Sequence, residues 1–104
     1  MVNPKPFQVD WDRNALDDLK EILEYLSAQS SQASKIVKSA ILSRIDVVKT
    51  NPFICEKDEL RLPVNEEFRA FVVFSYRITY HVHVKLKQVR ILRIRHTSRE
   101  PLLY

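Results

Sequence analysis

The chain contains no glycine, a single cysteine and no long apolar run, and each absence narrows what the protein can be. Without glycine it cannot form the glycine-rich loops with which the common nucleotide-binding enzymes hold phosphates, so those enzymes are excluded. Its one cysteine cannot form an internal disulfide, and polar side chains within residues 1–12 interrupt any signal-peptide core. These features predict a cytoplasmic protein without a membrane-spanning segment.

The length and charge of the chain indicate one folded domain with an uneven surface. A chain of 104 residues, 45% of them hydrophobic, predicts a single domain over residues 1–104 with one core. Residues 68–104 hold eight basic residues and one acid, a net charge of +7, whereas residues 1–67 hold nine bases and twelve acids, a net charge of −3. Such asymmetry is typical of a surface that binds an anionic partner.

Two helices are predicted in the first half of the chain. After a short alternating strand at residues 7–11, Asp12 or Asn14 can cap a helix whose apolar residues recur at helical spacing. A serine at position 30 or 31 can cap a second helix, which ends before Pro52 because proline cannot continue it. Because few residues join the helices, we expect an antiparallel hairpin whose apolar stripes pack on a sheet.

Three strands are predicted in the second half, at about residues 68–74, 76–84 and 88–96. In the middle strand apolar and polar residues alternate, which is the strongest strand signal in the chain. The order β-α-α-β-β-β predicts an α+β domain in which the helical hairpin packs on one face of a small, mainly antiparallel sheet. Four basic residues would then share the other face: Arg77, His81, Arg93 and Arg95.

Neither histidine nor cysteine forms a pattern typical of a metal or nucleophile site. His81 and His83 lie two apart on one strand face, as a metal-binding pair could, but no third ligand with suitable spacing accompanies them. Cys55 is followed closely by three acids, which do not favour a reactive thiolate. The sequence therefore predicts neither a metal nor a cofactor.

The element order and two short motifs resemble the RelE/ParE superfamily of bacterial type II toxins. The motifs are YRITY at residues 76–80 and RIRHTSREP at residues 93–101, and the resemblance covers Phe7 to Pro101. It implies a toxin that arrests growth and is made beside an antitoxin, whose flexible segment wraps the toxin and blocks its working surface. It therefore implies a hetero-oligomer with that antitoxin.

One branch of the superfamily, the RelE-like toxins, cleaves messenger RNA in the ribosomal A site without a metal. This chemistry needs positive charge where the pentavalent phosphate forms, and groups that move protons at the reacting oxygens. In this branch the resemblance gives catalytic roles to Arg77, Arg99 and Tyr104. Four further residues are candidates for binding RNA or another target: Arg69, Arg93, Arg95 and His96. The match is partial, because Phe71 stands where the branch has a second lysine and Thr97 where it has an arginine.

The other branch, the ParE-like toxins, poisons DNA gyrase and traps cleaved DNA, which needs no nuclease centre. Its members tend to carry a histidine, two variable residues, an arginine and a nearby proline at the end of the last strand, and HTSREP at residues 96–101 is similar. The chain is therefore nearer the ParE branch, so gyrase poisoning is predicted and ribosome-dependent mRNA cleavage is the alternative. Two non-toxic hypotheses remain: a basic nucleic-acid-binding module, and an inert homologue that keeps only antitoxin binding.

Overall fold

In the computed structural model, which describes residues 6–58 and 65–99, two helices pack on a five-stranded mixed sheet. The helices are α1 (Arg13–Gln29) and α2 (Ser31–Thr50). The strands are β1 (Gln8–Trp11), β2 (Glu56–Lys57), β3 (Phe68–Val73), β4 (Tyr76–His83) and β5 (Gln88–His96), and a 3₁₀ turn follows at Thr97–Arg99. Within these residues no helix is long and apolar enough to cross a bilayer.

The strands lie in the order β1-β5-β4-β3-β2, with β1 parallel to β5 and the other neighbours antiparallel. The predicted α+β fold, with its order β-α-α-β-β-β, is confirmed. Strand β2 was not predicted, since it consists of one glutamate and one lysine, which have low strand propensity. It forms because those two residues pair with Ala70 and Arg69 at the outer edge of β3.

Both helices begin at residues that the sequence offers as caps, and α2 ends before Pro52 as predicted. The Asp12 carboxylate accepts from the backbone N–H of Asn14, and the Ser30 hydroxyl accepts from that of Ala33. Helix α2 ends at Thr50, and the N–H of Asn51 satisfies carbonyls of the last turn before Pro52. The loop between the helices is therefore a single serine, which holds them as an antiparallel hairpin.

One face of the sheet and the inner stripes of the helices form the core. Cross-strand pairs supply the sheet side, with Ile78 opposite Ile94 and Val82 opposite Val89. The buried core residues of the helices are Ala15, Val37, Ile41, Ile45 and Val48. The register shifts between Thr79 and Tyr80, so that Leu92 has no cross-strand partner. This is the bulge that the adjacent apolar pair Ile91-Leu92 indicates.

The opposite face carries the polar residues of β4 and β5. The register places Arg77 opposite Arg95, Thr79 opposite Arg93, and His81 opposite Arg90. Because side chains alternate along a strand, all six project from the face that does not carry Ile78 and Ile94. The predicted placement of the basic residues away from the helical face is therefore confirmed.

Two turn residues take left-handed backbone angles that glycine would adopt without strain. Phe74 has φ of 53° in the two-residue loop between β3 and β4, and Lys87 has φ of 51° in the loop between β4 and β5. For a residue with a Cβ atom this conformation costs about 1–2 kcal/mol. A chain without glycine must therefore hold both hairpins by hydrogen bonds and packing around the turns.

Candidate functional site

Arg77, the first of the predicted catalytic residues, forms an ion pair in the protein interior. Its Nη2 donates to Oδ1 of Asp58 at 2.7 Å, and the Asp58 side chain is only 2% exposed. The backbone N–H of Asp58 donates to the carbonyl of Phe68 at 2.8 Å, which fixes the carboxylate beside β3. Breaking such a pair from one side costs about 3–5 kcal/mol, so Arg77 stabilises the fold whatever it does at a target.

Arg93, predicted to contact the target, is bound by a carboxylate from α1. Asp18 accepts from Nε of Arg93 at 2.9 Å, from its Nη2 at 3.1 Å and from the backbone N–H of Ile94 at 3.0 Å. Strand β1 pairs with β5 only as far as Ile91, so this carboxylate satisfies an edge N–H beyond the end of β1. Asp18 therefore fastens α1 to the sheet edge through three hydrogen bonds.

Arg69, also predicted to contact the target, lies on the helix-facing side of the sheet, opposite Tyr80 in the register. Its guanidinium donates to the carbonyl of Cys55 at 2.9 Å and to the Glu66 carboxylate at 3.1 Å, and lies 4.9 Å from the centre of the Phe53 ring. These contacts attach the segment before β2 to β3. Arg69 is consequently placed to hold that segment.

Arg95 differs from the other sheet arginines. Within residues 6–58 and 65–99 it has no carboxylate partner, and its buried Nε has no hydrogen-bond acceptor. The Thr79 hydroxyl on the same face is also buried, with no partner among those residues. Arg95 lies directly opposite Arg77, whose charge Asp58 balances. Among the predicted target arginines in the described strands, Arg95 is therefore the one whose guanidinium no acid of the described residues neutralises.

His96 is fixed at the end of β5 by its neighbours. The Ser98 backbone N–H, which can only donate, lies 3.1 Å from Nδ1, so Nδ1 is the acceptor. The Ser98 hydroxyl lies 2.8 Å from the same nitrogen, and the Tyr76 ring meets the imidazole edge-on at 5.5 Å. In the neutral ring the proton is therefore on Nε2.

The remaining predicted residues lie at the limit of the described chain. Arg99 ends the 3₁₀ turn that begins at Thr97, whose N–H donates to the Ser75 carbonyl at 2.8 Å. The start of this 3₁₀ turn is thus placed beside the β3–β4 turn. Tyr104 lies outside the described residues, so its predicted role stays a prediction.

Tyr80 is a structural residue at the centre of the core. It is fully buried, and its hydroxyl donates to the carbonyl of Pro52 at 2.7 Å. Burial raises the pKa of this hydroxyl far above its ordinary value, and nearby Cys55 adds to the shift. The phenol therefore stays protonated and holds the start of the segment that leads to β2.

His81 and His83 do not combine with further ligands in the described part of the chain. His81 Nε2 lies 3.2 Å from a Glu67 carboxylate oxygen, and the two imidazoles are 6.1 Å apart at their centres. No group of three potential metal ligands occurs among those residues. His81 instead packs on the ring of Phe68 at 4.6 Å, as a surface residue of the sheet.

Two features of the site were not predicted from the sequence. Arg90 pairs with both Asp10 and Asp12, which joins β5 to β1 and to the cap of α1. The helical hairpin also bears a shallow apolar groove of about 660 Å³. The groove is lined by Leu16, Leu19, Lys20, Leu23, Glu24, Ser27, Ala28 and Lys38. Leu16 and Leu23 on α1, which are not among the residues packed against the core, were the sequence signal for it.

Comparison with known proteins decides the family. The family model of the ParE toxin of type II toxin–antitoxin systems (parDE) matches residues 9–101, nearly the whole chain. The chain belongs to the ParE toxin family. A search of curated proteins finds no significant match to this toxin. The RelE/ParE resemblance of the two motifs is therefore confirmed at the level of the family.

Solved structures of related toxins share the fold. The chromosomal ParDE system from P. aeruginosa gives a TM-score of 0.70 at 16% identity, covering 89% of this toxin and 98% of that chain. A free E. coli RelE toxin variant gives 0.64 at 16% identity, covering 91% and 87%. The E. coli RelBE toxin–antitoxin complex gives 0.57 at 18% identity, covering 85% and 93%. At these identities the likeness concerns the fold alone, which both branches share.

We expect Asp18→Ala to destabilise this ParE-family toxin by about 2–4 kcal/mol. The substitution leaves the Arg93 guanidinium and the buried backbone N–H of Ile94 without their acceptor. The adjacent Asp17→Ala is the matched control, since Asp17 is exposed and only contacts Arg13 at 3.8 Å. Its loss should change stability by at most about 0.5 kcal/mol. Urea unfolding of the two variants checks this, and equal midpoints would show that Asp18 does not hold the sheet edge.

Proposed function

We propose that this ParE-family toxin arrests growth by poisoning DNA gyrase in the cytoplasm, trapping cleaved DNA, and that it has no nuclease centre. The proposal rests on one observation: three of the sheet arginines are already bound to acceptors within the protein. Arg77 is bound to Asp58, Arg93 to Asp18, and Arg69 to Glu66 and the Cys55 carbonyl. A nuclease would need such cations available to the phosphate in the transition state, and here each would first have to leave a protein acceptor.

Ribosome-dependent cleavage of mRNA is the second candidate function, and one observation favours it. Arg95 has no acid beside it in the described residues, and it shares its sheet face with Arg77 and the Thr79 hydroxyl. A phosphodiester bound there would gain charge-assisted hydrogen bonds. In that mechanism Arg77, Arg99 and Tyr104 would have the predicted catalytic roles, and Arg77 would have to exchange Asp58 for the phosphate.

The contacts divide the predicted residues into two groups. We assign Arg69, Arg77 and Arg93 to holding the sheet, because each has a fixed acceptor within the protein. We assign target contact to Arg95 and Arg99 and, through its Nε2–H, to His96. These last three stand at the end of β5 and in the turn that follows, where the ParE-like motif lies.

We further propose that an antitoxin neutralises the toxin by laying an amphipathic, acidic segment on the hairpin and the sheet, where it folds as it binds. The groove on the helical hairpin suits such a segment, because Leu16 is 47% exposed there and Lys20 and Lys38 flank the apolar floor. Leucines would receive the apolar side chains and the lysines the acids. The solved RelBE relative is a toxin–antitoxin complex, which supports a partner of this kind.

The antitoxin proposal predicts losses of antitoxin affinity of very different size for substitutions at two exposed leucines. Leu16 lines the groove, whereas Leu42 on α2 is 38% exposed and does not line it. Leu16→Asp should weaken binding of the cognate antitoxin by roughly a hundredfold, since it places a charge among apolar contacts, and Leu42→Asp by only a few-fold. Titration calorimetry with the small protein encoded beside the toxin measures both. Equal affinities for the two variants would remove the groove from the interface.

The activity is tested by assaying the purified toxin side by side on its two candidate targets. We expect gyrase-dependent double-strand cleavage of plasmid DNA, with mRNA in programmed ribosomes left intact, and prior addition of antitoxin should abolish the DNA cleavage. If the toxin instead cleaves mRNA in the ribosomal A site and causes no gyrase-dependent DNA cleavage, it is a ribosome-dependent nuclease. If neither occurs and induction does not slow growth, the toxin is an inert homologue or a binding module.

A further inference from the structure

The turn between β4 and β5 forms an exposed tip with an unusual surface. This hairpin tip, residues 83–88, carries Val84 at 53% and Leu86 at 66% exposure, and Leu86 is the most exposed large apolar residue of the described chain. Lys85 and Lys87 alternate with them and are also exposed. The tip thus offers two exposed apolar side chains that alternate with two cations along the chain.

The hairpin tip is held in one shape by hydrogen bonds on each side. The Lys87 N–H donates to the Val84 carbonyl at 3.1 Å, and the Leu86 N–H donates to Nδ1 of His83 at 3.3 Å. The Lys87 carbonyl accepts from the N–H of Gln8, which joins the tip to the start of β1. Lys87 keeps a left-handed φ of 51° within this arrangement. The lysines and the leucine are therefore presented by a turn with fixed backbone geometry.

The hairpin tip extends beyond β3 on one side, and on the other side it lies beside the start of β1. Strand β3 begins opposite His81, so β4 and β5 alone continue to the pair His83 and Gln88, where β1 begins. From His81 to Arg90 the chain contains no acid. Neither Lys85 nor Lys87 has a carboxylate partner within residues 6–58 and 65–99. The tip is consequently a narrow positive surface that extends past β3 and that no acid of the described residues compensates.

We propose that the hairpin tip binds duplex DNA, with Lys85 and Lys87 on backbone phosphates and Leu86 in apolar contact within a groove. A two-stranded ribbon has a width that a DNA groove accepts, and lysines supply its sequence-independent affinity. Apolar side chains at such tips contact or wedge base steps. An acidic protein surface would also attract the lysines but does not call for a protruding ribbon. The choice of DNA as the anionic ligand rests on the proposed gyrase function, whereas the binding of an anion by the tip lysines does not.

The test is binding of the purified toxin to a fluorescent duplex of about 20 base pairs, followed by anisotropy over a range of salt. Lys85→Gln combined with Lys87→Gln should lower affinity roughly tenfold and reduce the salt slope by about 1.8, the value for two phosphate contacts. Lys35→Gln on α2 combined with Lys57→Gln on β2 removes the same charge elsewhere and should change neither. Leu86→Ser should weaken binding and leave the salt slope unchanged.

Equal affinities for the two lysine pairs, or no binding of the wild-type toxin at low salt, would overturn the proposal. A polyglutamate peptide replaces the duplex in a parallel titration. If the double variant of Lys85 and Lys87 loses binding of this peptide but keeps binding of DNA, the tip is a protein-binding surface, which also contradicts the proposal. If the toxin fails to trap gyrase-cleaved DNA while its tip still binds the duplex, the gyrase function fails and the tip assignment stands.

Discussion

The structure depends on acids of the first half of the chain, and of the segment before β3, that reach arginines of the sheet. Asp18 of α1 binds Arg93, Asp10 and Asp12 bind Arg90, and buried Asp58 binds Arg77. These pairs fasten α1 and β1 to β5 and bring the segment before β3 onto the sheet. The uneven charge of the sequence is therefore largely balanced within the fold. The cations that remain for partners include, among the described residues, Arg95, the two tip lysines, and Lys20 and Lys38 beside the helical groove.

The surfaces that we propose for partner binding lie at three separate places on the fold. The helical hairpin carries an apolar groove suited to an antitoxin segment. The end of β5 carries Arg95 and the fixed imidazole of His96, and the β4–β5 tip lies at the other end of the same strands. Because β4 and β5 are joined along their whole length, the two ends have a fixed spacing. A single rigid ribbon can thus present contacts to one large target at both ends.

The fold could be predicted largely from the sequence, because apolar residues recur at strand spacing in one half of the chain and at helical spacing in the other. The alternation in β4, the helical stripes and the caps at Asp12 and Ser30 each depend on neighbouring residues alone. Strand β2 could not be predicted, since two charged residues form it only because β3 offers an edge. The ion-pair partners were equally out of reach: Asp18 and Arg93 lie 75 residues apart, and no local pattern links them. Which arginines have an acid partner therefore emerges only in the folded protein, and the predicted set includes arginines with and without one.

The central claim is that Arg77 serves the fold through Asp58 rather than the chemistry of toxicity. The most direct measurement is growth arrest on induction of the double variant Arg77→Gln with Asp58→Asn, which removes both charges together, beside the single variant Arg77→Gln. Replacing both members of a buried pair is tolerated far better than replacing one. The account predicts that the double variant folds, as shown by its thermal transition, and stops growth like the wild type. A folded double variant that no longer stops growth would contradict it.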